Sequence, residues 1–192
     1  MQIKNYAACV CLVSLVLLAG AAPVFGGISA SATMTAAQDG TNWDYVVTVH
    51  NTGTVNIETF WFAWIPGYDY LPSNPQVTSQ PLFWSTYVEA SDRYSIEFYD
   101  TGTLDPITPG NSSSAFKFTS PDSPTTLSNG TGFAGLPDTY SYVYTGPSDS
   151  GSAAIITSIP ITTVPEPTSI ALAGIGGLAG LIVWGRRRLA AR

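Results

Sequence analysis

Apolar and polar residues alternate along several short stretches in the middle of the chain. The clearest stretch is residues 43–51, where Tyr45, Val47 and Val49 fall on one side and polar residues such as Asp44 fall on the other. Because successive side chains of a strand point to opposite faces, this period of two predicts a strand with one buried face. The other predicted strands are residues 28–36, 55–65, 82–90, 93–99, 115–119, 140–145 and 153–159.

Residues 55–65 have a mixed pattern within one predicted strand. The opposite face from the core begins polar and ends aromatic, with Phe60, Phe62 and Trp64, and we expect the loop at residues 66–81 to cover these rings. The face predicted to meet the core holds Val55, Ile57, Thr59, Trp61, Ala63 and Ile65.

Segments rich in proline and glycine separate the predicted strands, at residues 66–81, 101–113 and 121–135. No segment between the two ends of the chain has the 3.6-residue period of an amphipathic helix. About eight short strands with turn signals between them are typical of an all-β fold, and they predict an antiparallel β-sandwich.

The N-terminal end has the three parts of a secretory signal peptide. Lys4 precedes an apolar run at residues 7–22, and small residues follow it. We expect a signal-peptide helix within residues 1–26, with cleavage after Gly26 or, alternatively, after Ala32.

Both cysteines of the chain, Cys9 and Cys11, lie within this predicted signal peptide. Removal of the peptide leaves the exported part, residues 27–159, without a disulfide or a thiolate ligand. Its length is sufficient for one domain with a sizeable core. We therefore expect a single domain that is stabilised by packing alone.

The second hydrophobic run, residues 169–185, contains no charged residue. It approaches the roughly 20 residues that a helix needs to cross a bilayer. Arg186, Arg187 and Arg188 follow it, and clustered positive charge stays on the cytoplasmic side. The pattern predicts one C-terminal transmembrane helix, with the domain outside the cytoplasm and a basic tail at residues 186–192 inside.

A proline-rich linker at residues 160–168 joins the domain to this run, and it contains Val164-Pro165-Glu166-Pro167. The Pro-Glu-Pro sequence, the small-residue-rich hydrophobic helix and the arginine cluster together resemble the PEP-CTERM sorting signal of exported bacterial proteins. The resemblance implies recognition by a membrane-embedded exosortase, with these four residues as the sorting motif and cleavage close to them. Two prolines also hold the backbone around Glu166 extended. Both a removable sorting signal and a permanent anchor fit this tail.

The middle of the chain carries a second resemblance. One predicted strand ends in the turn Asn51-Thr52-Gly53, and a later turn, Pro109-Gly110-Asn111-Ser112, precedes the aromatic strand Phe116-Lys117-Phe118. This order is similar to that of immunoglobulin-like modules of bacterial surface proteins, over about half of the domain. It implies an immunoglobulin-like sandwich and no particular activity.

Charge narrows the possible partners. Twelve of the thirteen acidic residues lie between the two hydrophobic ends, where Arg93 and Lys117 are the only bases, so the domain has a net charge of about −10. This charge argues against nucleic acid and anionic membrane surfaces as partners. No calcium-loop spacing and no phosphate-binding glycine loop is present, so we expect no metal and no cofactor.

A catalytic histidine is not predicted. His50 is the only histidine of the chain, and alternation places it near Thr48 and Asp44 on the polar face of its strand. A solvated histidine at a strand end is the simpler interpretation than a Ser-His-Asp triad. A pair of carboxylates for glycoside hydrolysis stays open, because the sequence does not select one.

Aromatic residues concentrate between positions 61 and 87. Exposed tryptophan and tyrosine rings can stack on sugars, so Trp64, Tyr68, Tyr70 and Trp84 are candidate glycan-stacking residues. The alternative, which we favour, is that these rings fill a core without disulfides. Three functions follow: a non-enzymatic surface or matrix protein in exopolysaccharide or biofilm, then a carbohydrate-binding module, and last a hydrolase.

Overall fold

The computed structural model describes residues 26–130 and 136–165. Apart from Gly26, the predicted signal peptide lies outside these residues, and so do the predicted transmembrane helix and the basic tail. Within the described ranges, no helix is both long enough and apolar enough to cross a membrane.

Twelve strands and one short helix form the described part of the chain. The helix α1 spans Pro124–Ser128, and the hydroxyl of Ser123 caps it by accepting a 3.1 Å hydrogen bond from the Thr126 amide. The strands are β1 (Ala30–Asp39), β2 (Asn42–Asn51), β3 (Thr59–Phe62), β4 (Trp64–Ile65), β5 (Tyr68–Asp69), β6 (Gln76–Ser79), β7 (Trp84–Ala90), β8 (Tyr94–Asp100), β9 (Ser112–Ser120), β10 (Ser141–Tyr144), β11 (Ala153–Ile156) and β12 (Ile161–Val164).

Ten of these strands form two five-stranded sheets. The first sheet has the order β12-β1-β2-β9-β6, the second has the order β11-β10-β3-β8-β7, and β4 and β5 form a separate hairpin. All neighbours are antiparallel except β12, which runs parallel to β1. The predicted all-β antiparallel sandwich is confirmed, while the closer likeness to immunoglobulin-like modules stays a prediction.

The inner faces of the two sheets meet in an aromatic core. Phe60 of β3 lies 5.2 Å from Phe116 of β9, and Phe62 lies 5.0 Å from Phe118, between ring centroids. All four side chains are fully buried. Such close aromatic contacts bury large apolar areas, and they stabilise a domain that has no cysteine between the two ends of its chain.

The alternation predicted for residues 43–51 is confirmed in β2, where Tyr45, Val47 and Val49 are buried. The Tyr45 hydroxyl donates a 2.5 Å hydrogen bond to the carbonyl oxygen of Asp122. Burial, and then the Asp122 charge, raises the pKa of Tyr45. The phenol therefore stays protonated and connects β2 to the segment after β9.

The faces predicted for residues 55–65 are wrong. Phe60 and Phe62 point into the core, whereas Trp61 lies on the outer face of the second sheet. The prediction treats residues 55–65 as one regular strand and therefore places Phe60, Trp61 and Phe62 on the wrong faces. This difference decides where the candidate site forms.

Two irregular steps break that predicted strand. Ile57 is buried but forms only an isolated bridge with Ile107, and regular pairing begins at Thr59. The alternation therefore shifts by one residue before β3 begins. Ala63 has a φ of 56°, which ends β3 and sends Trp64 into the separate hairpin.

Three segments predicted as loops or linker contain regular structure. Residues 66–81 hold β5 and β6, residues 121–135 hold α1, and the linker 160–168 holds β12. Strand β12 pairs with β1 from Met34 to Ala37. Its residues are mostly exposed and do not alternate, so the period-two pattern gave no signal for it.

Candidate functional site

One row of side chains crosses the outer face of the second sheet. Strand pairing aligns Tyr142 of β10, Trp61 of β3, Glu97 of β8 and Tyr87 of β7. Trp61 and Glu97 are only 5% and 6% exposed, although they point away from the core. Other parts of the chain must therefore cover the middle of this row.

Aromatic rings supply part of that cover. Trp64 stacks on Trp61 with ring centroids 4.6 Å apart and planes 22° apart. The same ring meets Tyr142 edge-on at 5.9 Å and Tyr144 at 6.3 Å. Because Trp64 belongs to β4, the small hairpin of β4 and β5 carries this ring over the sheet.

The loop between β10 and β11 supplies a carboxylate. The indole Nε1 of Trp61 donates a hydrogen bond to Oδ1 of Asp149. Ser148 and Asp149 have φ values of 48° and 66°, a region that aspartate tolerates better than most residues. The Thr59 hydroxyl donates a 2.8 Å hydrogen bond to the carbonyl oxygen of Gly146, which holds the start of the loop against β3.

Glu97 is the most unusual group of the row. Its Oε1 atom is buried and has no hydrogen-bond partner among the residues that the structure describes. Burial raises the pKa of Glu97 to about 7, and the negative charges of Asp149 and Glu89 add to the effect. A carboxylate in this state is held away from water and lacks the cation or donor that usually accompanies burial.

A second buried carboxylate fixes the hairpin to the sheet. Asp69 of β5 accepts hydrogen bonds from the hydroxyls of Ser91 and Ser95, at 2.7 and 2.6 Å. Arg93, between these serines, donates to the carbonyl oxygen of Tyr70 at 2.7 Å and lies 3.6 Å from Asp138. The guanidinium is thus engaged elsewhere, and Asp69 is satisfied by neutral donors.

These side chains surround a cleft of about 400 Å³, which we call the Trp61–Glu97 cleft. None of its lining residues is lysine, arginine or histidine, whereas four are carboxylic acids and four are aromatic. Its lining residues are Trp61, Trp64, Gly67, Tyr68, Asp69, Tyr87, Glu89, Ser91, Glu97 and Asp149.

The cleft can stack a flat apolar surface against its rings and accept hydrogen bonds through its carboxylates. The electrostatic potential of the cleft is negative, because carboxylates line it and no basic side chain does. Tyr68 and Tyr87 at its rim are 45% and 53% exposed, so both side chains reach solvent at the mouth of the cleft. Among the described residues, no group of three histidine, cysteine, aspartate or glutamate side chains is placed to hold a metal ion.

The four predicted glycan-stacking residues divide into two pairs. Trp64 and Tyr68 line the cleft, but Tyr70 and Trp84 are 0% and 4% exposed. The Trp84 ring packs edge-on against Phe116 in the core, and its Nε1 donates to the carbonyl oxygen of Asp105 at 2.8 Å. Tyr70 and Trp84 are therefore core residues, as the alternative interpretation of the sequence expected, and cannot stack on a sugar.

Sequence reasoning missed the carboxylates Glu97, Glu89 and Asp149. A signal for Glu97 existed, because it alternates with the buried Ile96 and Phe98 and so had to point outward. Its position beside a tryptophan could not be found without the strand register. No pattern pointed to Asp149, which reaches the site from a loop.

His50 takes part in a different arrangement. Its Nδ1 atom lies 2.9 Å from the Ser112 hydroxyl and 3.1 Å from the carbonyl oxygen of Asn111. Asp44, the carboxylate on the same face of β2, is six positions away, or about 20 Å along a strand. These residues do not form the geometry of a catalytic triad.

A second cleft, of about 420 Å³, lies among the loops that precede β7 and β9. It is lined by Pro81, by residues 104–108 and by residues 111–113, none of which is aromatic. The only carboxylate in this lining belongs to Asp105, and no lining side chain holds a buried polar atom without a partner. This cleft lacks the features that distinguish the Trp61–Glu97 cleft.

The predicted sorting residues lie at the edge of the described chain. Val164 ends β12 and is 46% exposed, and Pro165 follows it. Glu166, Pro167 and the arginines at residues 186–188 lie outside the described residues.

Comparison with known proteins gave a family match for the tail and distant structural likenesses for the domain. The comparison with curated proteins gave no match. A solved structure, the GH20 exo-β-N-acetylglucosaminidase from Vibrio harveyi in complex with N-acetylglucosamine, is similar at 12% identity with a TM-score of 0.43. The similar region covers 72% of this chain but only 19% of that one, and so distant a likeness carries no argument about activity.

The family match concerns the tail. Residues 163–188 match the PEP-CTERM protein-sorting motif. The match contains the four residues of the predicted sorting motif and the arginines at 186–188, and it confirms the resemblance drawn from the sequence. This chain thus carries a PEP-CTERM protein-sorting motif, which implies an exported protein that is processed by an exosortase.

Proposed function

We propose that the chain is an exported, non-enzymatic β-sandwich protein of the cell surface or the extracellular matrix. The observation that carries this proposal is the sorting motif at residues 163–188, which begins inside β12 of the sandwich. Since the motif follows the folded domain without an intervening loop, the sandwich is the cargo that the motif delivers.

The tail would act as a temporary address. Residues 169–185 hold the chain in the membrane, and Arg186, Arg187 and Arg188 stay on the cytoplasmic side. An exosortase, as a transient partner, would recognise Glu166 between its prolines and cut nearby. The domain would then be released to the surface or to an exopolysaccharide or biofilm matrix.

The composition of the domain suits such a setting. A net charge of about −10 keeps a domain soluble and hydrated and disfavours nucleic acid as a partner. The absence of cysteine between the two hydrophobic ends makes the fold independent of the redox state outside the cell. The Nδ1 atom of His50 contacts the Ser112 hydroxyl and the Asn111 carbonyl oxygen, which fits a structural histidine at a strand end.

Intact-mass analysis of the protein from cell envelope and medium tests the sorting step. We expect a mature C-terminus near Glu166 in wild-type protein, and a chain that ends at Arg192 in the Glu166→Ala variant, retained in the membrane fraction. Asp44→Ala, on the exposed face of β2, is the matched control and should be processed normally. An intact Arg192 in every wild-type fraction would refute processing and leave the tail as a permanent anchor.

A second candidate function, saccharide binding, is supported by the Trp61–Glu97 cleft. The half-buried Trp64 and the exposed Tyr87, with Tyr68 at the rim, form an aromatic surface of the kind that stacks on sugar faces. Retention of the protein on insoluble polysaccharides should be lost in Trp64→Ala. The same incubations should release no soluble sugar, and release that disappears with Glu97→Gln would instead identify a glycoside hydrolase.

A further inference from the structure

The buried carboxylate of Glu97 indicates which chemical group the Trp61–Glu97 cleft can bind. The side chain is more than nine-tenths buried and lines the cleft, yet its Oε1 has no donor. A buried acceptor without a partner is unfavourable, and most such atoms in proteins are paired. A donor can approach Glu97 only through the cleft, because Ile96 and Phe98 fill the core side of β8.

The acidic residues around Glu97 favour a positively charged hydrogen-bond donor. Asp69, Glu89 and Asp149 line the same cleft, and no basic side chain lines it. A cation that enters the cleft meets an attractive field, whereas an anion meets four acids. An ammonium group supplies both the positive charge and the N–H donors that a buried carboxylate can accept.

The aromatic rings of the cleft indicate the chemistry of the rest of the ligand. Trp61 and Trp64 form a parallel stack, and the exposed rings of Tyr68 and Tyr87 extend the aromatic surface to the rim. The faces of pyranose rings stack on such surfaces, and ammonium groups are attracted to the faces of aromatic rings. A volume of about 400 Å³ lies in the range of pockets that hold small ligands.

We propose that the Trp61–Glu97 cleft binds saccharides with a free amino group, and that Glu97 accepts the ammonium group of the sugar. This inference rests on the saccharide-binding function proposed above and specifies its ligand. Trp64 and Tyr87 stack on the sugar rings, and Glu89 and Asp149 add attraction for the cation. Acetylation of the amine removes its charge and adds bulk at Glu97, so N-acetylated sugars should bind poorly.

Isothermal titration of the full-length protein, in a detergent without a sugar headgroup, tests the inference. The probes are a β-1,4-linked glucosamine tetramer, its fully N-acetylated counterpart, a β-1,4-linked glucose tetramer, and spermine as an amine without a sugar. We expect the glucosamine tetramer to bind at least about tenfold more tightly than each of the other three probes. Both Glu97→Gln and Trp64→Ala should weaken its binding by about tenfold or more, which corresponds to about 1.4 kcal/mol.

Asp44→Asn is the matched control, because it removes one negative charge from the exposed face of the other sheet and should change the affinity less than about twofold. Circular dichroism of each variant ensures that a loss of binding reflects the cleft and not the fold. If the glucose tetramer or the acetylated tetramer bound as tightly as the glucosamine tetramer, the amino-sugar inference would be overturned and saccharide binding would stand. Binding of none of the saccharides would overturn both, and equally tight binding of spermine would reduce the site to an unspecific amine trap.

Discussion

The outer faces of the two sheets differ, although both follow from the same period-two alternation. On the first sheet, register aligns Thr35, Val46 and Lys117, a row of small or flexible side chains, and its two ends are exposed. On the second sheet, the corresponding face presents Trp61 and Glu97, which are almost fully buried. Alternation thus decides which way a side chain points, but not whether water reaches it.

The outer faces differ because other segments of the chain cover only that of the second sheet. The β4–β5 hairpin places Trp64 over the second sheet. The loop between β10 and β11 also covers this face, because its Asp149 accepts a hydrogen bond from the indole nitrogen of Trp61. On the first sheet Thr33 and Thr35 stay exposed. The outer face of a sheet becomes a candidate binding site when irregular segments fold over it. These segments exclude water from a carboxylate, here Glu97, whose position is fixed by its strand.

The largest expected effect separates the two faces by stability. Replacement of Trp61 by alanine removes its stacking on Trp64 and its bond to Asp149, and should lower the free energy of unfolding by about 3 kcal/mol. Val46→Ala, at a half-buried outer position of the first sheet, should cost less than about 1 kcal/mol. Denaturant titration of both variants provides the measurement.

A similar loss in the two variants would show that the outer face of the second sheet is not a packed layer. Trp64→Ala adds a check on this result, because it removes the other ring of the Trp61–Trp64 stack. Its cost should lie between those of Trp61→Ala and Val46→Ala, since Trp64 is only half-buried.

Much of the sandwich could be predicted from the sequence because its long strands obey simple rules. Each of the eight predicted strands overlaps an observed one, and the Asn51-Thr52-Gly53 turn has a clear physical basis. The Asn51 amide nitrogen donates to the carbonyl oxygens of Val55 and Ile107, both at 2.7 Å, and its Oδ1 accepts from the Gly53 amide. A side chain that replaces backbone partners in this way leaves a local signature.

The candidate site could be predicted only in part, because it depends on departures from regularity. One shift between Ile57 and Thr59 reversed the faces of Trp61 and its neighbours, and no local pattern marks such a shift. The residues that surround Glu97 in the cleft come from β3, β7 and a loop, so long-range register is needed to bring them together. The same lack of a local rule hid β12, whose residues pair with β1 although they show no alternation.

The second prediction concerns the proton on Glu97. Burial raises its pKa from 4.5 to about 7, so between these values the folded chain holds a proton that the unfolded chain has lost. The free energy of unfolding should therefore fall as the pH rises through this range and stay level above it. Glu97→Gln removes this effect, and should stabilise the protein by about 2 kcal/mol above pH 7 and hardly at all below pH 4.5.

Thermal unfolding of wild type and Glu97→Gln across this pH range measures the difference. The comparison isolates Glu97, because Glu58, whose pKa is raised by burial and then by Asp100, titrates in both proteins. Lys117→Gln is a control on the first sheet, where an exposed charge should give no pH-dependent difference in this range. A stabilisation of Glu97→Gln that is the same at all pH values would contradict a raised pKa in the folded state.

The smallest expected effect tests how much of the difference between the faces is due to charge. Asp149→Asn keeps an oxygen that can accept the bond from Trp61 but removes the negative charge, which is the second cause of the raised pKa of Glu97 after burial. The pKa of Glu97 should fall in this variant and still stay above 4.5, because burial remains. The change in the free energy of unfolding should stay below about 1 kcal/mol.

Carbon-13 NMR titration of the Glu97 carboxyl group gives this pKa directly. Glu89→Gln should also lower it, by less, because Glu89 is the weaker of the two charge effects, and Asp44→Asn should leave it unchanged. A Glu97 titration that is identical in wild type and Asp149→Asn would mean that burial alone holds the proton. The outer faces would then differ through their cover and not through their charge, and the loop that carries Asp149 would matter to Glu97 only as a wall against water.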